Sequence, residues 1–121
     1  MGHPKFVIRT SAGQFYFHLA AANGDIILNS ERYTSQKSAE RCIESVKINS
    51  TVDQQYDRRL TQQWEHYFVL RGGNHEVIGM SEMYATERVM EEGIVAVKRS
   101  AAVARVEGVT SSCVSGELTA E

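Results

Sequence analysis

Residues 15–50 read FYFHLAAANGDIILNSERYTSQKSAERCIESVKINS, and residues 66–101 read HYFVLRGGNHEVIGMSEMYATERVMEEGIVAVKRSA. Set one beneath the other without a gap, they agree at 12 of 36 positions, where composition alone would give about two. The shared residues are Tyr16/Tyr67, Phe17/Phe68, Leu19/Leu70, Asn23/Asn74, Ile27/Ile78, Ser30/Ser81, Glu31/Glu82, Tyr33/Tyr84, Glu40/Glu91, Ile43/Ile94, Val46/Val97 and Lys47/Lys98. A duplicated segment explains the match. Positions that stayed equal mark what both copies need.

Each copy predicts strands followed by a helix. Residues 15–19 alternate large apolar with mixed side chains, the period of a half-buried strand. Asn23-Gly24 marks a hairpin turn, because both residue types tolerate positive φ; the second copy keeps only the Asn, as Asn74-His75. Two registers fit the returning strand. A two-residue loop pairs Leu19 with Leu28, whereas a three-residue loop puts Ile27 on the face of Phe17 and Leu19. The longer loop is preferred, since position 27/78 is Ile in both copies and 28/79 is Leu in one and Gly in the other.

Ser35 and Thr86 are expected N-caps, accepting hydrogen bonds from the free first-turn N–H groups. Behind Ser35, Ala39, Cys42, Ile43 and Val46 form one apolar stripe; behind Thr86 the stripe is Met90, Ile94 and Val97, with Gly93 permitting close approach. Lys47 and Lys98 complement the dipole in the last turn. Earlier strands are expected at 6–10 and 56–60, a connection over 49–55, and a last strand within 103–106. One unit of about 50 residues with a single apolar stripe is near the limit of independent folding. The prediction is therefore a two-layer α+β domain, one sheet built from both units with both helices on the same face. Phe17 and Phe68 belong in that core.

The chain has 121 residues, 42% apolar and 23% charged, which fits one compact domain and excludes disordered and fibrous classes. Thirteen Lys and Arg against fifteen Asp and Glu give −2, no broad basic field for phosphate backbones. No run approaches the ~18 apolar residues of a membrane span. The first residues lack the apolar stretch of a secretory signal, and Phe6 stands where myristoylation requires Ser or Thr; a cytoplasmic protein is expected. Cys42 and Cys113 form no CxxC. Cys42 reads as a small core hydrophobe and Cys113 belongs to the tail. His3, His18, His66 and His75 show no metal-ligand spacing, so neither metal nor cofactor is expected.

The strings AANGDIILNSERYTSQKSAERCIESVK and GGNHEVIGMSEMYATERVMEEGIVAVK resemble the YegP-like bacterial family, small domains of unknown function. Turn Asn, Ser-Glu-x-Tyr and Ile-x-x-Val-Lys recur in order, twice, and the resemblance covers roughly residues 5–107. It implies two tandem β-β-β-α-β units sharing one antiparallel sheet, with strands exchanged between units and two helices packed on one face. Single-unit members form the same assembly as dimers, so this chain resembles a covalently joined dimer and is expected to be a monomer. The expected organisation is a single domain over 1–107, with repeats at 5–50 and 56–107, and a flexible C-terminal tail over 108–121. Gly93 and the Trp64-Glu65-His66 loop entry depart from the family pattern. The resemblance brings no activity, substrate or catalytic residue.

No GxSxG, P-loop, GxGxxG or HExxH occurs, and no catalytic residue is assigned. The duplicated polar residues have a structural reading, in which Asn makes the turn, Ser-Glu ends a strand, Tyr packs at the helix entry and Lys caps the helix. The functional reading makes Glu31, Tyr33, Glu82 and Tyr84 line two equivalent polar pockets. Tyr16 and Tyr67, of opposite strand parity to Phe17 and Leu19, point to a contact face. The resulting expectation is a non-enzymatic module binding an unknown protein or a small polar ligand. The alternatives are a small enzyme using the Glu and Tyr pairs, and a weak single-stranded nucleic-acid binder using Arg58, Arg59 and Trp64. Asp53, Asp57 and Glu65 count against that last patch.

Overall fold

Period-two alternation builds two hairpins, one at the start of each unit. In the computed structural model, which describes residues 2–108, β1 (Lys5–Ser11) and β2 (Gln14–Ala20) pair antiparallel, with Phe6 opposite Leu19 and Ile8 opposite Phe17. Ala12 and Gly13, at φ 53° and 78°, close the two-residue turn. β3 (Ile26–Asn29) returns beside β2, and α1 (Gln36–Asn49) follows. A single 3-10 turn over Asp53–Gln55 leads into the second unit: β4 (Tyr56–Leu60), β5 (His66–Arg71), β6 (Val77–Met80) and α2 (Glu87–Ala101). A short β7 (Arg105–Glu107) ends the described chain. Residues 109–121, including Cys113 and nearly all of the expected tail, lie outside it.

All seven strands form one sheet in the order β4-β5-β6-β3-β2-β1-β7. Ser35 and Thr86 cap their helices as expected, accepting from the backbone N–H of Ser38 and Val89. The predicted stripes are buried, and α2 adds Gly93, Ser100 and Ala101. α1 packs against β1 and β2 and also against β5 and β6; α2 packs against β5 and also against β2 and β3. Each helix therefore covers strands of both units. Phe6, Phe17, Phe68, Leu70, Ile43 and Ile94 are among the fully buried side chains of one continuous core. Phe6 meets Phe17 edge-on at 5.8 Å and Tyr56 meets Phe68 at 5.5 Å, so the aromatic pair is duplicated too.

The sheet is mixed rather than antiparallel throughout. β7 lies parallel to β1, with Lys5 opposite Arg105 and Val7 opposite Glu107. This strand, reached from α2 of the second unit, closes the edge of the first, as the implied exchange requires. The first unit has no closing strand of its own, because its corresponding segment is the 3-10 turn that feeds β4. The outer edge of β4 carries charge instead. Arg58 reaches Asp53 at 3.1 Å and Glu91 of α2 at 2.6 Å, and Lys98 reaches Asp53 at 3.0 Å. Edge charges of this kind discourage pairing with a foreign strand.

The hairpin register combines both sequence readings. Ala21 N–H donates to the Asp25 carbonyl, and Gly24, at φ 93°, completes a three-residue loop. A bulge at Ile27 then restores Leu19 opposite Leu28, so Ile27 and Leu28 are both buried. The second unit repeats the device, with His75 at φ 71° and a shift between Leu70 and Arg71. At the seam, β3 and β6 share one registered pair, Asn29 opposite Met80. A Cβ on Gly79 would stand 2.7 Å from Leu28 Cδ2 and 2.8 Å from Cγ. Leu28 lies diagonally across the seam from Gly79 and its side chain covers that position, so two leucines cannot occupy the space. Their inequality reflects a core position shared between the copies, not a position outside the core.

Candidate functional site

Most of the duplicated polar residues are engaged in holding the backbone. Phe17 N–H donates to Ser30 Oγ at 2.9 Å, and Ser30 Oγ donates to the Glu31 carbonyl at 2.6 Å. Ser81 does the same with Phe68 N–H and the Glu82 carbonyl at 3.0 and 2.7 Å. Each hydroxyl replaces ladder partners where the strand leaves the sheet. The turn Asn has a different task from the one expected. Positive φ falls on Gly24 and His75, whereas Asn23 Oδ1 and Asn74 Oδ1 accept from the N–H of Asp25 and Glu76. This side-chain turn can be kept while its neighbour varies.

Tyr33 and Tyr84 sit at isolated bridges to Phe15 and His66, which aims their rings at helix position 42/93. Tyr33 Oη donates to Cys42 Sγ at 3.0 Å, and the thiol donates to the Ile78 carbonyl of the other unit at 3.4 Å. Burial pushes both the Tyr33 hydroxyl and the Cys42 thiol up from their ordinary values. In the second unit Gly93 leaves room for Tyr84, since a Cβ there would lie 2.7 Å from its hydroxyl. Burial raises Tyr84 as well. Proton transfer at neutral pH calls for shifts toward neutrality, and both phenols move away from it.

The structure does bring Glu82 and Tyr84 into one shallow cleft with the Gly24–Ile27 turn of the first unit. Glu82 is exposed and accepts from Asn29 Nδ2 at 2.8 Å. Glu31 is exposed beside half-buried Tyr33. Among the described residues no three His, Cys, Asp or Glu side chains gather as metal ligands, and no helix is long and apolar enough to cross a membrane.

Tyr16 and Tyr67 stand elsewhere, on the face opposite both helices. Register places Tyr16 opposite Arg9 and Tyr67 opposite Arg59. The Arg32 guanidinium lies 4.9 Å from the Tyr16 ring centroid. Between the two tyrosines runs one row of aligned residues: His18 opposite Asn29, Asn29 opposite Met80, and Met80 opposite Val69. Burial, and then Arg9, lower the pKa of His18. On the second half of the face Asp57 accepts from Arg71 at 2.7 Å and Arg59 at 3.3 Å, which holds its carboxyl below the usual range, the Arg71 bond foremost.

The gapless comparison misses the Arg9/Arg59 pair. The β4–β5 loop is one residue longer than the β1–β2 turn, so the strands before them match at an offset one smaller than the rest. The signal present in the sequence was aromatic-x-x-Arg, Phe6 to Arg9 and Tyr56 to Arg59. The structure also splits the suggested patch of Arg58, Arg59 and Trp64. Arg58 is bound to Asp53 and Glu91 on the helix side, while Arg59 belongs to the open face. Trp64 is 74% exposed at φ 66° in the turn between β4 and β5.

The family model described as "Domain of unknown function (DUF1508)" matches residues 10–57 and again 63–107, one match per structural unit. The UPF0339 protein YegP of Escherichia coli K12 is 46% identical over 90 residues, 74% of this chain and 82% of that protein. Its counterpart in Yersinia pestis is 42% identical over 100 residues, 83% of this chain and 88% of that protein. The solution structure of E. coli yegP, described as a protein of unknown function, superposes with a TM-score of 0.85 at 40% identity, covering 93% of this chain and 97% of that one. That of UPF0339 protein SO3888 from Shewanella oneidensis gives 0.83 at 33% identity, covering 87% and 90%. With two family matches, close relatives and the same fold, this chain belongs to the uncharacterised DUF1508 (UPF0339, YegP-like) family.

Proposed function

We propose that the protein is a non-enzymatic binding module, monomeric, whose helix-free sheet face docks an anionic partner. The observation that carries this reading is the duplicated Arg–Tyr pair, Arg9/Tyr16 and Arg59/Tyr67, on the face that the core does not use. A cross-strand pair contributes only about 0.2–1 kcal/mol to a sheet, and many residue types supply that. Retention of the same cation and ring in both units goes beyond what sheet stability demands. Guanidinium and phenol together recognise anionic and planar groups. Tyr16 and Tyr67 are therefore the binding residues of this reading. Glu31, Tyr33, Glu82 and Tyr84 act in strand ends and helix entry; the Glu82–Tyr84 cleft is at most a secondary polar subsite.

Site-specific photo-cross-linking in cells tests it. A photoreactive residue at Val7, on the open face, is expected to give a discrete adduct that the Arg9→Ala/Arg59→Ala variant loses. The same residue at Ile48, 71% exposed on α1, is expected to give none. Adducts only from Ile48, or Val7 adducts indifferent to the arginines, would overturn the reading.

A further inference from the structure

Resting on the docking face just described, we infer that its partner is single-stranded nucleic acid, laid diagonally from Tyr16 to Tyr67. The net charge of −2 conceals a local surplus. Strand parity directs Lys5, Arg9, Arg59, Arg71 and Arg105 to the open face against Asp57 and Glu107. The two anions on the face are paired, Asp57 with Arg59 and Arg71 and Glu107 with Lys5 at 3.5 Å, while flanking Glu82 accepts from the neutral Asn29 amide. Among the described residues Arg9, Arg32 and Arg105 have no ion-pair partner. Positive charge is thus available that no anion among the described residues neutralises.

The rings choose between anionic partners. An acidic peptide would engage the arginines and leave the aromatic faces idle. Nucleic acid uses both, with phosphates on guanidinium groups and bases stacked on rings. Arg32 already sets a guanidinium over the Tyr16 ring, its Cζ 4.9 Å from the centroid. Trp64 adds an indole next to the Arg59–Tyr67 end, held at a left-handed φ that bulky residues rarely adopt. Strained backbone of this kind concentrates at functional positions. Three strand spacings and four residues of rise separate the tyrosines by about 20 Å, a span that several unstacked nucleotides cover. Among the described residues no helix or ribbon projects from the face to enter a duplex groove, which favours a single strand over a duplex.

Fluorescence anisotropy with labelled 12-nucleotide oligo-dT and oligo-rU, against labelled poly-Glu peptide, tests the assignment. Saturable oligonucleotide binding is expected at about 50 mM salt. With three phosphates neutralised it should weaken about 20-fold by 200 mM. Arg9→Ala/Arg105→Ala, which removes two of the three unpaired guanidinium groups, should lower the logarithmic salt slope by about 1.4. Tyr16→Ala/Tyr67→Ala should weaken binding at least about ten-fold with the slope unchanged, and Tyr16→Phe/Tyr67→Phe should retain it. Arg88→Ala on α2, where the side chain is 89% exposed, should bind as the parent does. Oligonucleotide binding that ignores the face variants would overturn the inference, as would no binding by any probe. Poly-Glu bound with the same arginine dependence while oligonucleotides are not would overturn nucleic acid and leave the docking face standing.

Discussion

Adding one methyl group at Gly79 should disturb the seam between the two units. A Cβ there would meet Leu28 at 2.7, 2.8 and 3.0 Å on three of its side-chain carbons. Leu28 has no solvent exposure, so its side chain cannot swing outward. Overpacking of a filled core costs about 1–3 kcal/mol, and each kcal/mol lowers Tm by about 4–8 °C in a domain of this size. Gly79→Ala should therefore melt well below the parent. Gly73→Ala is the control, because a Cβ there meets nothing within 4 Å; it should stay within about 0.5 kcal/mol. Leu28→Ala alone should cost about 2–5 kcal/mol by leaving a cavity. In the double variant the new methyl enters that cavity, and the cycle should show a favourable coupling of at least about 1 kcal/mol. Urea denaturation of the four proteins measures it. Additive single effects would refute the packing of the Leu28 side chain over position 79.

Phe17→Ala and Phe68→Ala should each cost about 3–5 kcal/mol, read as a shift of the urea midpoint. His75→Gly should raise stability by about 1 kcal/mol and Gly24→Ala lower it similarly, since both positions have positive φ; calorimetry of the two variants checks the opposite signs. Asp53 and Asp57 have folded pKa values below the ordinary carboxylate range, through bonds to Lys98 and Arg71 foremost. Their stabilisation is complete above the unfolded value of about 3.9 and disappears as pH falls through the lower folded values. An Asp53→Asn/Asp57→Asn variant should accordingly show a shallower acid decline in urea midpoint. In a Cys113→Ser background, Cys42 should react with a thiol reagent only as fast as the chain opens, because burial keeps its thiol protonated.

Elements whose signal is local were legible in the sequence. Ser35 and Thr86 cap where expected, and the stripe through Cys42, Ile43 and Val46 is buried. Features set by the meeting of the copies were not. Leu28 and Gly79 differ because they share one space, a constraint invisible when each copy is read alone. The parallel β7–β1 pairing arises from strand exchange, which periodicity does not encode. Asn23 and Asn74 looked like left-handed residues, but their side-chain acceptors serve the turn while Gly24 and His75 take positive φ. Arg9 and Arg59 escaped because one extra loop residue shifts the alignment ahead of β5. Tyr16 and Tyr67 were visible through parity, which strand periodicity reports directly.

Residue-resolved hydrogen exchange on the intact chain asks most directly whether the units are one cooperative body. Amides of Phe17 and Leu19 in β2, and of Phe68 and Leu70 in β5, should open with a common free energy equal to that of global unfolding. Two plateaus, one for each unit, would show that either half stands without the other, contrary to a core that each helix builds across both.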